Sequence, residues 1–190
     1  MIATPARLGA AGLTPVGLRT EYRVNPLGVD AARPRLSWTL EAPKGVRNVR
    51  QTAYQVVVAG DAGTLWDSGK VFSGETAGIE YGGSELTSRM RCSWKVRVWD
   101  ESGKTSAWSA AARWTMGLLQ KTDWGAKWVA GSMVRRGFAV QGSVKRALLY
   151  VTARGLYELR LNGQKVGEQV LAPEWTNYAK RIQYQVYDVT

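Results

Sequence analysis

Apolar side chains recur at every second position along much of the chain. In "RLSWTL" they are Leu36, Trp38 and Leu40, and in "TAYQVVVA" they are Tyr54, Val56 and Val58. In "RCSWKVRVWD", Cys92, Trp94, Val96 and Val98 share one face while Lys95 and Arg97 take the other. Successive side chains of an extended backbone point to opposite faces, so this period predicts half-buried strands. "ARWTMG" supplies a further short strand, and "GLRTEYRV", "TLWDSGKV" and "TAGIEY" are shorter candidates. No long window carries the i, i+3, i+4, i+7 stripe of an amphipathic helix. About seven strands in roughly 100 residues is the pattern of an immunoglobulin-like or fibronectin type III sandwich. The Cys…Trp…Cys spacing of antibody domains is missing, which favours the fibronectin-like version.

A connector follows, "LLQKTDWGAKWVAGSM". Its tryptophans, Trp124 and Trp128, either share one face of a helical turn or pack the linker against a neighbouring domain; packing is the preferred reading. A second strand pattern then begins at "VKRALLYVTA". "LYELRLNG" places Tyr157, Leu159 and Leu161 on one face. Asn162–Gly163 is a strong hairpin signal, because both residues tolerate positive φ. "QKVGE" reads as the returning strand, "APEWTNY" as an aromatic loop, and "RIQYQVYDVT" as a strand with Ile182, Tyr184, Val186 and Asp188 on one face. That makes four or five strands, where a closed jelly roll needs about eight. The expectation is an all-β chain: a sandwich over 13–117, a linker over 118–134, and an incomplete β jelly-roll over 135–190. Its last strand would be an exposed edge.

Composition narrows the chemistry. The chain has 190 residues, 45% of them hydrophobic, with nine tryptophans and no histidine. Lacking histidine, it has no Ser-His-Asp or Cys-His site and no His-ligated metal. Neither phosphate-binding glycine motif nor an EF-hand loop is present. Carboxylates such as Asp67, Asp100, Glu101, Asp123 and Glu168 read as solvated turn residues, and no catalytic residue is expected among them. Cys92, the single cysteine, lies in an apolar alternation and reads as a buried small hydrophobe. The formal charge is +11, which raises nucleic acid as a partner. The basic residues are scattered, however, and their longest runs are the pairs Arg135–Arg136, Lys145–Arg146 and Lys180–Arg181. No nucleic-acid partner is expected. No apolar segment suits a secretory signal or a membrane span, so the chain is expected to be soluble, and cytoplasmic rather than exported.

Taken in order, these segments resemble the N-terminal region of bacterial α-L-rhamnosidases, glycoside hydrolase family 78. "NPLGVDAARPRLSW" resembles the opening of that family's fibronectin-like domain. "RNVRQTAYQVVVA", "LWDSGKV" and "WKVRVWDESGKTSAWS" follow in the family's order, and "WTMGLLQKTDWGAKWV" resembles the exit from that domain. The stretch from Val144 to Thr190 resembles the start of a carbohydrate-binding-type jelly-roll. One departure is that the interval between Trp128 and Arg135 is compressed, with "RRGFAV" as the expected first strand. The resemblance implies a parent that hydrolyses terminal α-L-rhamnosyl bonds with inversion, using acidic residues of an (α/α)6 barrel that this chain lacks.

The resemblance also implies contact with that barrel and with rhamnose-containing glycans, and in some relatives a calcium-assisted sugar site. No cofactor is required, although calcium is one the second module could take. Physical candidates for a sugar site are Trp175 and Tyr178, which could stack on a sugar's apolar face, with Asn162, Glu168 and Asn177 to reach hydroxyls or a cation. The competing readings are structural: Asn162 for the hairpin and Trp175 for packing. At the level of the whole chain, the alternative is a freestanding carbohydrate-binding or adhesion module.

Overall fold

The computed structural model describes residues 12–190, which form two compact units dividing between Leu119 and Gln120. The first unit holds seven strands: β1 (Thr14–Thr20), β2 (Arg35–Glu41), β3 (Gln51–Gly60), β4 (Gly63–Asp67), β5 (Ile79–Glu80), β6 (Arg91–Asp100) and β7 (Ala112–Thr115). They build two antiparallel sheets, ordered β1-β2-β5 and β4-β3-β6-β7. This is the sandwich that the period-two pattern predicts. Val56 lies opposite Val96 and Val58 opposite Trp94, and all four are buried in one core with Leu36, Trp38, Trp114 and Met116. Each such side chain contributes about 1.5–3 kcal/mol by leaving water.

Several buried rings find acceptors for their polar ends. The Trp38 indole donates to Gln51 Oε1 at 3.0 Å, and the Gln51 amide donates to Ser73 O and Glu75 O at 3.1 and 2.8 Å. Trp94 donates to Thr20 Oγ1 at 3.2 Å. Cys92 is 3% exposed, and burial, with the nearby Asp61 charge, pushes its thiol up to about 12. It is a core residue, as its position in the alternation predicts.

Three serines finish the larger sheet in the same way. The Ser106 amide donates to Val98 O, and Ser109 to Val96 O, both at 2.8 Å. In return the Val98 and Val96 amides donate to Ser106 Oγ and Ser109 Oγ at 3.0 and 3.1 Å. Beside β3, Ser68 repeats the exchange with Val56. One serine thus supplies both the donor and the acceptor that a paired strand would supply. At the end of β7 the chain is held from two sides. Met116 bridges Val29 in parallel, Gly117 N donates to Val29 O at 2.7 Å, and Met116 N donates to Met90 O at 2.8 Å.

The second unit starts with a 3-10 turn, Lys121–Asp123. β8 (Leu148–Val151) pairs with β11 (Gln185–Asp188), and β9 (Arg160–Leu161) pairs with β10 (Gln164–Lys165). Asn162 and Gly163 carry φ of 51° and 83°, so the expected hairpin turn is present. Trp124 and Trp128 do not ride together on a helix. Trp124 packs on Tyr184 with centroids 5.9 Å apart, and Arg154 lies 5.2 Å from the centre of Trp128.

Two expectations are corrected here. "RRGFAV" forms no strand, because nothing among the described residues pairs with it. In β11 the buried residue is Tyr187, while Val186 is half-buried and Asp188 exposed. The Tyr187 ring lies against Gly167, where any Cβ would collide with it, and its hydroxyl meets Tyr157 Oη at 3.0 Å. That pairing turns the other face of the strand inward.

Candidate functional site

The expected sugar-contacting residues are divided among three turns of the second unit. Trp175 and Tyr178 lie together, centroids 5.6 Å apart and planes inclined by 39°. Trp175 is 79% exposed, so its ring faces solvent and does not fill a core. Tyr178 is half-buried, and its hydroxyl accepts from Gly155 N at 2.7 Å. Asn177 joins them, but it also organises the loop: its Oδ1 accepts from Ala179 N at 3.1 Å, and its backbone carbonyl accepts from Lys180 and Arg181 at 2.8 and 2.9 Å. Thr176 Oγ1 closes the same loop by donating to Arg181 O at 2.6 Å. The aromatic loop "APEWTNY" is therefore fixed by its own polar groups, and it presents one indole outward.

Asn162 belongs to the β9–β10 hairpin and Glu168 to the turn that follows it; both are exposed. They share no turn with Asn177. Among the described residues, no group of three or more His, Cys, Asp or Glu side chains could hold a metal ion. With one carboxylate, and with an Asn177 oxygen already committed to a backbone amide, Asn162, Glu168 and Asn177 do not form the carboxylate-rich oxygen cage that calcium takes.

A feature that the alternation did not announce lies beside them. A depression of about 80 Å³ is lined by Tyr157, Tyr187, Glu158, Lys165 and Gln169, among others. Burial, reinforced by the hydrogen bond to Tyr187, holds the Tyr157 hydroxyl well above the usual tyrosine range. The sequence placed Tyr157 on a strand face with Leu159 and gave no sign that it would meet Tyr187. Tyr157 lies outside the strands, and its amide is held by Ala172 O at 2.9 Å.

The chain is thus a β-sandwich followed in sequence by a second β-rich unit that carries an exposed aromatic loop. Residues 15–120 match the family described as Rha78A-like, N-terminal immunoglobulin domain. Residues 142–190 match the alpha-L-rhamnosidase N-terminal domain. An alpha-L-rhamnosidase of Formosa agariphila is 37% identical over 190 residues, covering 87% of this chain and 20% of that protein. The alpha-L-rhamnosidase structure from Dictyoglumus thermophilum superposes with a TM-score of 0.86 at 35% identity, covering 93% of this chain and 23% of that one. The Streptomyces avermitilis alpha-L-rhamnosidase complexed with L-rhamnose gives 0.60 at 29%, covering 94% and 20%. The chain belongs to the α-L-rhamnosidase family and corresponds to its N-terminal domains. It spans about a fifth of the length of the curated relatives it matches.

Proposed function

We propose that the chain is the non-catalytic N-terminal region of an α-L-rhamnosidase whose parent hydrolyses terminal α-L-rhamnosyl residues of glycosides or polysaccharides. In this reading the catalytic (α/α)6 barrel lies outside these 190 residues. One observation carries it: 93% of the chain aligns with only 23% of a solved rhamnosidase. The chemistry agrees, because hydrolysis of a glycosidic bond needs two carboxyl groups facing each other across the bond. The sandwich then serves as a rigid support for the parent's barrel. The second unit contributes the exposed ring of Trp175, with Tyr178 and Asn177, as a contact for rhamnose-containing glycans.

The test is turnover of an aryl α-L-rhamnoside by the purified, sequence-verified chain. No release of the aryl group is expected, and steady turnover would overturn the reading. Tryptophan fluorescence during titration with L-rhamnose checks the sugar contact. A saturable change lost in Trp175→Ala supports it, and an unchanged titration in that variant removes Trp175 from the proposal.

A further inference from the structure

The outer face of the larger sheet carries a line of cations that the function above does not use. Alternate residues of β6 place Ser93, Lys95, Arg97 and Trp99 on this face, opposite the core-facing Val96 and Val98. Arg113 lies beside Ser93 across the β6–β7 pair. Lys95 Nζ is 4.8 Å from the centre of Trp108. The Arg97 guanidinium sits 4.8 Å from Trp108 and 5.1 Å from Trp99. Lys70 Nζ continues the stack, 4.7 Å from Trp99 and 4.9 Å from Phe72. From Ser93 to Trp99 the strand advances about 20 Å at roughly 3.4 Å per residue. Lys70, Lys95, Arg97 and Arg113 therefore form one track along β6.

Little on the face opposes them. The neighbouring β3 positions are Gln55 and Val57. One carboxylate, Asp67, lies on this face opposite Val57 and is attracted by Arg97. It accepts from Gln55 Nε2 at 2.7 Å, while Gln55 Oε1 accepts from Arg97 Nε at 2.9 Å. Beyond the ends, Asp61 is paired with Arg91, and Asp100 is held by Ser102 and Lys104 in its own turn. An aromatic ring holds a cation in place without neutralising it. Long basic side chains normally lose rotamer freedom when they bind, and here the rings have already restricted them.

We propose that this track is a docking site for an acidic, carboxylate-bearing polysaccharide. Charge complementarity points to a polyanion, and the linear layout suits an extended chain better than a compact anion. The exposed Phe72 ring stands beside the cations, as a sugar's apolar face would require. A protein partner would need an apolar centre, and Phe72 is the one strongly exposed ring of the track.

The experiment titrates the full chain with polygalacturonate at low and high salt. Binding that weakens with salt is expected. In Lys70→Gln/Lys95→Gln the affinity should fall roughly tenfold, because phosphate- or carboxylate-type contacts scale with the cations removed. Both lysines are exposed, and an unchanged melting temperature shows that the variant is folded. Arg135→Gln/Arg136→Gln, both exposed and outside the Trp175 loop, should bind like the parent sequence. Equal losses in both variants would show that net charge alone is responsible and would overturn the site. So would an absence of binding at low salt, equal binding of fully methyl-esterified pectin, or tighter binding of a DNA duplex to the same track.

Discussion

Gln51 is an amide buried among aromatic rings, and it is tolerated because all its polar atoms are used. In Gln51→Leu, the Trp38 indole and two backbone carbonyls would lose their partner. Unsatisfied buried groups cost about 1–3 kcal/mol each, so denaturant unfolding should show a loss of about 3 kcal/mol. Cys92 should resist a thiol reagent at mild alkaline pH until the protein unfolds, because the buried thiolate is disfavoured. Two carboxylates impose a pH dependence. Burial raises the Asp100 carboxyl, but hydrogen bonds from Ser102 and Lys104 outweigh it and leave the group below its ordinary 3.8. The hydrogen-bonded Arg35 lowers Glu21 below 4.5. A depressed folded value means that deprotonation favours folding. Their contribution is whole above the unfolded values and is lost as pH falls through the folded ones. Denaturant midpoints should therefore drop between about pH 5 and about pH 2, and Asp100→Asn should flatten part of that drop. The buried apolar positions were legible from alternation alone, since Leu36, Trp38, Val56, Val58, Trp94 and Val96 all reach the core. Gln51 was not: an amide at a strand start looks solvated until Trp38 is seen beside it.

Elements were read well where one face is wet and the other dry. β2, β3 and β6 meet that condition, whereas the hairpin at Asn162–Gly163 was announced by its turn residues. β11 does not. Neighbours cover parts of both its faces, so its alternation could not say which side turns inward, and Tyr187 settled it by meeting Tyr157. The serine-finished edges were also invisible, because a serine that replaces a strand partner has no periodic signature. Ser68→Ala, Ser106→Ala and Ser109→Ala should each leave one valine amide without its acceptor. Each should cost about 1 kcal/mol in denaturant titrations, with the amides of Val56, Val98 and Val96 exchanging faster in the matching variant.

The two units differ in how much they bury. The first gathers nearly all the buried apolar side chains, whereas in the second Ala172 and Tyr187 are the buried hydrophobic residues and Val170, Leu171 and Trp175 stand exposed. Hydrogen exchange should accordingly show the amides of β3 and β6 as the slowest and those of β8 and β11 as much faster, since local stability follows buried contacts. Equal protection in both units would contradict this. The family and the order of its modules were legible from the string of motifs between Asn25 and Thr190, which the matches to both N-terminal domains bear out. The distribution of the core was not, because strands of the second unit alternate as clearly as those of the first.

The bonds around Met116 give the sandwich a mechanical character. Where the chain leaves the last strand, Gly117 N is fastened to Val29 O, Met116 N to Met90 O, and Arg89 N to Gly117 O. Tension applied through the downstream chain would load these bonds together, in the manner of a clamp, before it could peel β7 from β6. The sandwich should therefore act as a stiff anchor, yielding in one abrupt step under force and transmitting strain with little elastic give.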